Sequence, residues 1–587
     1  MILQSLTAYY EALARRGEIA RSGWATTKVS FALELGADGS LLRVVPLESV
    51  PEDGKKPLLQ RKNLPAPVKR TVGIAPNFLW DSSSYLLGLD GKGKPERAKD
   101  CFAAAKQLHQ QLLGDLDDPF AQAICRYFDR WDPETGAALP LLADCRAELD
   151  KGGNLVFLFD GRFPDECGAL CRAWQSYYDR EEDGDEMRCL VTGEEAVPVK
   201  IHPAVKGVQG AQSSGAALVS FNGPAFCSYN HEQNLNAPVS KYAAFAYTTA
   251  LNTLLADRQH VRHFGDTTVV FWAESAEHTY QDVFASMLDG GDELTNHELE
   301  SCIDDLAHGR PTNWEKLPLH PENQFYILGL APNAARLSVR FFLRGSFGRF
   351  AANIQRHYQD THIISDGKSK WETLPLWALL RETVNQNSRN KDALPQMAGD
   401  LLRAILSGGP YPATLYQQTQ LRIRAERVVS WGRAGILKAY LIRLPNNPIS
   451  REALTVELNE QTTYQPYVLG RLFAVLEGIQ QAANPGINTT IMDRYFTSAS
   501  ATPALIFPTL LNLASKHLRK MGGGKEVYWS KQVVALTGMI TESYPLHHTL
   551  YEQGVFQLGY YHQTQKRYEK KEKTNADQTM REETDNV

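Results

Sequence analysis

Apolar positions recur along this chain in two rhythms, and the change between them divides it. Up to about residue 370, short alternating or continuous apolar runs are interspersed with helical patterns; from about Trp371 onward the 3.6-residue period dominates. The opening stretch MILQSLTAYYEALARRGE predicts an amphipathic helix, and with Glu11 and Glu18 it does not read as a signal peptide. Lys28–Val45 alternates apolar and polar residues around Asp38-Gly39, which predicts a β-hairpin turning at that pair. Phe78, Trp80 and Tyr85 are expected in the core. Helices are expected from about Arg97 to Glu148, and strands at Asn154–Asp160, Thr267–Ala273, Gln324–Leu330 and Ala335–Leu343. On that last strand, strict alternation places Arg336 and Arg340 on one face with Ser338 between them.

In the C-terminal part, Gln465–Ala483 carries a stripe of Val468, Leu472, Val475, Leu476 and Ile479 behind Pro466, which opens the helix. Further helices are expected at about 490–500, 503–520, 526–541 and 550–570, with Gly522-Gly523-Gly524 as a break. The polar segment KKEKTNADQTMREETDNV predicts disorder. The fold class is α+β: a mixed α/β N-terminal region with antiparallel hairpins, then an all-α helical bundle. The expected divisions are 1–370 (with an internal break near 150–190), a helical connecting region 371–464, a bundle 465–575 and a disordered tail 576–587.

Composition adds limits. A chain of 587 residues, 43% hydrophobic and 22% charged, is long enough for several domains with cores that need neither metals nor disulfides. The net charge of −5 gives no overall attraction to nucleic acid, so such a role needs local basic patches. Eight cysteines in so long a chain form no disulfide framework and fit a reducing cytoplasm. No apolar run is long enough to span a membrane. One basic patch is Lys55–Arg70, with Lys55, Lys56, Arg61, Lys62, Lys69 and Arg70, no acid, and three prolines that predict an irregular exposed loop. A second comprises Arg336, Arg340, Arg344, Arg349 and Arg356.

The most distinctive stretch is IHPAVKGVQGAQSSGAALVSFNGPAFCSYNH (201–231). Its one ordinary charge is Lys206, and it is rich in glycine, amides and hydroxyls. Gln209, Gln212, Ser213, Ser214, Asn222 and Asn230 can donate and accept hydrogen bonds, and Gly207, Gly210 and Gly215 allow a backbone to approach a ligand closely. That chemistry suits reading a polar surface; a tight domain turn or a seat for another subunit is the plainer alternative. Nucleotide-binding and hydrolase signatures are missing: Gly367-Lys368-Ser369 lacks the upstream glycine of a P-loop, and Ala211 replaces the first glycine of a nucleophile elbow at Ser213. Cys227 with His231 is open as a thiol pair, and Cys167, Cys171, Cys189 and His202 as zinc ligands, but structural roles are favoured. No catalytic residue, metal or cofactor is expected.

The stretches LWDSSSYLLG (79–88), CLVTGE (189–194), HPAVKGVQGAQSSGAALVSFN (202–222), SYNHEQNLNAPVSKYAAFAY (228–247), FYILGLAPNAARLSVR (325–340), TTIMDRYFTSASATPALIFP (489–508) and EQGVFQLGYYHQ (552–563) accompany Leu6–Tyr10 and the first hairpin. Together they resemble the large subunit of the type I-C CRISPR Cascade surveillance complex, over essentially the whole chain. The resemblance implies a non-catalytic subunit that holds the 5′ region of crRNA and recognises a protospacer-adjacent motif in target duplex DNA. It also implies aid to strand opening and R-loop formation, and presentation of the displaced single-stranded DNA to a helicase-nuclease. The implied partners include the backbone, crRNA-processing and small Cascade subunits, with no membrane. The C-terminal helices resemble the small subunit, which in this family can also be translated separately from an internal start, at Met492 or nearer residue 465. On that view Lys206, Gln209, Gln212, Ser213, Ser214, Asn222 and Asn230 face base edges. Lys55, Lys56, Arg61, Lys62, Lys69 and Arg70 meet duplex phosphates, and Arg336, Arg340 and Arg344 a single-strand or crRNA backbone. A hydrolase using Ser213 or Cys227 with His231, and a scaffold that never touches DNA, are the competing classes.

Overall fold

The computed structural model describes residues 1–49, 58–68, 70, 73–90, 93–136, 139–151, 153–180, 184–221, 223–290, 297–367, 373–389 and 393–584. The chain divides into two compact units, residues 3–203 with 220–250, and residues 204–219 with 251–587. The α+β class is as expected. Within the second unit the C-terminal helices share one core with the sheet that precedes them.

In the first unit a four-stranded sheet runs in the order Leu41–Pro46, Phe31–Leu35, Asn154–Phe159, Trp80–Ser82. Phe31–Leu35 pairs antiparallel with Leu41–Pro46 and parallel with Asn154–Phe159. The period of two sends Phe31, Leu33, Leu35, Leu155 and Phe157 into one core against helices Pro95–Leu113, Pro119–Arg130 and Gly168–Tyr178. Ala32, Val156 and Leu158 enter a second core with Leu47, Leu64 and Trp80. The hairpin turn falls at Asp38-Gly39, where Gly39 has φ +81° and the Asp38 carboxylate accepts from the Ser40 N–H at 3.1 Å.

The middle of the basic stretch is regular, where an irregular loop was expected. Leu58–Pro65 is a strand, paired antiparallel with Trp24–Val29 and placing Lys28 opposite Arg61. Its prolines lie outside or at the end of the pairing segment, so they limit its length without breaking it. Consequently the hairpin expected from Lys28 begins at Phe31.

In the second unit the strands Arg262–Phe264, Thr267–Ala273, Gln324–Asn333 and Arg336–Ser346 form a four-stranded antiparallel sheet in that order. Every residue of Thr267–Ala273 is buried, as its unbroken apolar and threonine run predicts. Helix Gln465–Ala483 is buried nearly all round, from Pro466 to Ile479, where a one-sided stripe was expected. Its polar members are satisfied internally: Arg471 Nε donates to Gln563 Oε1 at 3.0 Å, and Glu477 accepts from the Thr490 and Tyr560 hydroxyls, each at 2.7 Å. The last helix runs Leu550–Thr584, well past Lys570 and through the segment whose composition predicts disorder. Lys, Glu, Gln and Arg are good helix formers, so polarity alone does not end a helix.

Glycine makes the central crossing possible. A Cβ on Gly470 would lie 1.9 Å from the Phe556 carbonyl oxygen, and one on Gly559 would lie 2.2 Å from that of Tyr467. Gly470→Ala gains about 1 kcal/mol of helix propensity, but overpacking typically costs about 1–3 kcal/mol, and a gap this small puts the cost at or above the top of that range. The variant is therefore expected to melt several degrees below the parent protein; a melting temperature equal or higher would contradict the close crossing.

Buried histidines set an acid limit. Complete burial lowers His109 to about 4, with Nε2 accepting from the Leu79 N–H at 2.9 Å and Nδ1 facing the Ala105 carbonyl at 2.7 Å. Burial, with help from the Lys438 and Arg471 charges, also lowers His562 to about 4. Both groups stay neutral in the fold, while the unfolded chain takes up their protons below its ordinary value of about 6.5. Their contribution is complete above that value and is lost as pH falls toward 4. Melting curves between about pH 6.5 and 5, above the carboxylate range, should show a falling Tm; a flat profile there would contradict neutral burial.

Candidate nucleic-acid interface

The strip 201–231 is shared between the two units, and its charged and amide-rich part, 204–219, belongs to the second. Val205 and Ala216 exchange backbone hydrogen bonds of 2.9 and 2.8 Å, closing the loop between them. The Asn252 side chain clamps one end, accepting from the Lys206 N–H at 2.8 Å and donating to the Ala204 carbonyl at 3.2 Å. The Gln209 N–H donates to the Thr268 hydroxyl at 3.1 Å. At the far end Ala217 bonds to both Ala335 and Leu337 at 3.0 Å, joining the loop to the start of strand Arg336–Ser346. Val205, Val208 and Ala216 are buried, whereas Lys206, Gln209, Gln212, Ser213 and Ser214 are exposed. Among the described residues those five side chains have no hydrogen-bond or ion-pair partner.

Gly207, Gly210 and Gly215 all have positive φ, at +95°, +78° and +101°. Their missing side chains face the protein rather than open space. An added Cβ would sit 3.1 Å from Leu255, 3.2 Å from Pro332 and 2.8 Å from Ala204, respectively. The backbone approach expected of these glycines is thus an approach to the loop's own framework, since glycine adopts positive φ without strain and has no Cβ to hold the loop off.

Arg336 stands beside this loop, through the backbone bridge from Ala217. It does not share a simple alternating face with Arg340. The register passes from Val339 opposite Leu330 to Phe341 opposite Gly329, so Arg340 is the extra residue of a β-bulge. Arg340 is ion-paired with Asp266, but its buried Nε has no partner. Arg344 is exposed, within 3.3 Å of Gln324 Oε1 and 5.9 Å from the Tyr326 ring centre.

The first unit holds the other candidates. Lys55, Lys56, Lys69 and Asn222 lie outside the described residues. Arg70 has a structural commitment: it pairs with buried Asp81, donates to the Ala75 carbonyl at 2.6 Å and stacks 4.1 Å over Tyr85. Burial pushes the Asp81 carboxyl up, and Arg70 together with the Asn77 and Ser82 N–H groups pulls it back. Lys62 is half-buried, with its Nζ 3.4 Å over the Phe163 ring. Arg61 is exposed and faces exposed Lys28 across the strands; neither meets an acid among the described residues. Lys28 escaped the sequence reading because only strand register brings it beside Arg61. Asn230 and Tyr229 are exposed at φ +61° and +52°, on a turn held by Asn236, which accepts from the Ser228 N–H at 2.7 Å and donates to the His231 carbonyl at 2.9 Å. Tyr229 is 94% exposed, an aromatic presentation that alternation and periodicity do not reveal.

The remaining chemical candidates have local partners. The Cys227 thiol meets the Gly223 carbonyl at 3.7 Å, and among the described residues no hydrogen bond links it to His231. His202 is buried against the Tyr247 hydroxyl at 2.6 Å, and burial lowers it to about 4. Burial works to raise the Cys189 thiol, but hydrogen bonds from Thr192 and Ser240 outweigh it and bring it to about 7. Cys167 faces Asp118 and Cys171 the Pro164 and Asp165 carbonyls. One His/Asp cluster was overlooked: Asp257, His260 and His278 converge in the second unit, and the spacings Asp257-x-x-His260 and His278-x-x-x-Asp282 were its available signal.

No helix among the described residues is long and apolar enough to cross a membrane. No curated protein matches the chain. Residues 6–568, covering both compact units and the loop at 204–217, match the family described as CRISPR-associated protein (Cas_Csd1). This chain is a member of that family of CRISPR-associated proteins.

Proposed function

We propose that this chain is the non-catalytic large subunit of a type I-C Cascade, in which the loop at 206–215 reads the protospacer-adjacent motif of target duplex DNA. The observation that carries the reading is the exposure of Lys206, Gln209, Gln212, Ser213 and Ser214 on a backbone already satisfied by Asn252, Thr268 and the start of a sheet strand. Amides and hydroxyls match the N3 and O2 acceptors and the guanine amino donor of the minor groove, and Lys206 adds a cation for acceptors or phosphate. Guide pairing supplies the remaining sequence specificity, so a few such contacts suffice.

In this role Lys28, Arg61 and Lys62 meet phosphate from the first unit, and Arg336 and Arg344 hold single-stranded DNA or crRNA backbone beside the loop. Opening the duplex costs a few kcal/mol per unstacked step, which such phosphate contacts offset. The displaced strand is then offered to a separate helicase-nuclease, while the other Cascade subunits hold the guide.

Lys206→Ala combined with Gln212→Ala, in the assembled complex, should leave assembly intact while reducing discrimination between motif-bearing and motif-free duplexes at least tenfold. Unchanged discrimination would favour a scaffold. Replacing Lys28, Arg61 and Lys62 by alanine should weaken binding alike on all sequences. It should also flatten the dependence of log affinity on log salt by roughly 2–3 units, at about 0.9 per phosphate contact. A parental salt slope would remove this strand pair from the interface.

A further inference from the structure

We propose that a cleft between three C-terminal helices binds one free nucleoside phosphate, with the phosphate on Arg471 and the base on Tyr528. The cleft measures about 470 Å³, within the range that encloses a small organic ligand. Helices Gln465–Ala483, Gly523–Gly538 and Leu550–Thr584 line it. The first contributes Arg471, Ala474 and Val475, which share one face at helical spacing.

The surroundings of Arg471 ask for an anion. Three arginines are buried among the described residues, and the other two answer acids. Arg433 pairs with Glu382 and Glu426, and Arg443 with Asp360. Arg471 has no ion-pair partner among the described residues. Neutral acceptors hold it: Gln563 Oε1 at 3.0 Å, and the Asn459 and Glu460 carbonyls at 3.2 and 3.3 Å. Those bonds use Nε and Nη1. Nη2 has no partner among the described residues and is left for the cleft that Arg471 lines. Arginine is seldom buried without a paired charge. Burial pushes its guanidinium down from the ordinary arginine range, an effect that an adjacent anion opposes. Glu460 is the one acid in the lining, and its exposed carboxylate makes no ion pair among the described residues.

The other end of the cleft selects the class of anion. Tyr528 offers an exposed ring there, edge-to-face with Trp529 at 5.4 Å between centres. Gly478 lets Trp529 and Arg567 close against the first helix; an added Cβ would sit 2.6 Å from the Trp529 ring and 2.7 Å from Arg567 Nη1. Gly478 follows Arg471 by two helical turns, so the guanidinium and the rings are set about 10 Å apart. A ligand with a phosphate at one end and a planar ring at the other spans that distance. The guanidinium fork matches phosphate, and a base stacks on an aromatic ring whatever its identity. Lys531 lines the cleft as a second cation with no acid partner among the described residues. A terminal phosphate carries up to about two charges, whereas a phosphate within a strand carries one. Two cations therefore suit the terminal group, which also reaches buried Arg471 without bending a continuous strand inward.

The test titrates the full-length protein, by calorimetry, with each of the four ribonucleoside 5′-monophosphates. At least one should bind with a single equivalent, about tenfold or more tighter than inorganic phosphate or the matching nucleoside. A single-stranded oligonucleotide without terminal phosphates should not displace it. Arg471→Lys, which keeps the charge and loses the fork, should weaken binding about tenfold or more. Tyr528→Ala and Lys531→Ala should each weaken it roughly fivefold or more. Because Tyr528 and Lys531 are exposed, these two variants should keep the ligand-free melting temperature and lose only the rise that the nucleotide produces in the parent, so they decide the matter even if Arg471→Lys does not fold. Absence of a bound monophosphate, equally tight binding of inorganic phosphate, displacement by the oligonucleotide, or parental affinity in Tyr528→Ala or Lys531→Ala would each overturn the assignment.

Discussion

The loop at 204–217 keeps its shape because the protein framework takes up its backbone hydrogen bonds. Asn252 holds both Ala204 and Lys206, Thr268 holds Gln209, and Ala217 bonds at 335 and 337. Backbone polar groups must be paired somewhere. Once the framework pairs them, the side chains between are available for other work. The same economy explains the three glycines, whose positive φ and missing Cβ let the segment lie close to Leu255, Pro332 and Ala204. A loop ordered before it meets a ligand avoids the entropy cost of being ordered by one. The selectivity of the proposed reading therefore depends as much on buried Thr268 and half-buried Asn252 as on the exposed amides.

Positive charge is divided by the fold into two kinds. Arg70 and Arg340 answer acids that the structure places beside them, Asp81 and Asp266. Lys28, Arg61 and Lys206 have no such acid among the described residues. A chain with a net charge of −5 has acids enough to neutralise these positions, so their isolation follows from placement rather than composition. That distribution matters to an electrostatic partner, because only an unpaired cation releases counterions on binding phosphate.

Much of the architecture was legible in the sequence. The turn at Asp38-Gly39, the buried strand Thr267–Ala273 and the C-terminal helices follow from turn chemistry and periodicity. The loop's exposed polar residues were legible too, since amides and hydroxyls beside glycine rarely pack a core. What escaped was whatever depends on a distant partner. Proline content hid the strand Leu58–Pro65, because its pairing with Trp24–Val29 cannot be read locally. The bulge at Arg340 broke an alternation that looked regular in one dimension. Helix Gln465–Ala483 has a clear apolar stripe, yet it is enclosed on all sides because Arg471 and Glu477 find partners on other segments. Arg70 looks like its basic neighbours in sequence and differs only through Asp81.

The pair Lys28–Arg61 carries this reasoning furthest. Like charges directly opposite on neighbouring strands destabilise a sheet, by roughly 0.2–1 kcal/mol when exposed. A single acid at either position would convert that penalty into a gain, and the opposing positions Thr26 and Asn63 on the same strands show that uncharged residues are accommodated there. Cross-strand pairing within the sheet therefore does not favour two cations in this register. A polyanion crossing the strands would, because it removes the mutual repulsion and converts a local cost of the free protein into affinity for the bound state. The proline-bounded strand makes that possible by holding the two side chains at a fixed spacing, which a flexible basic loop would not.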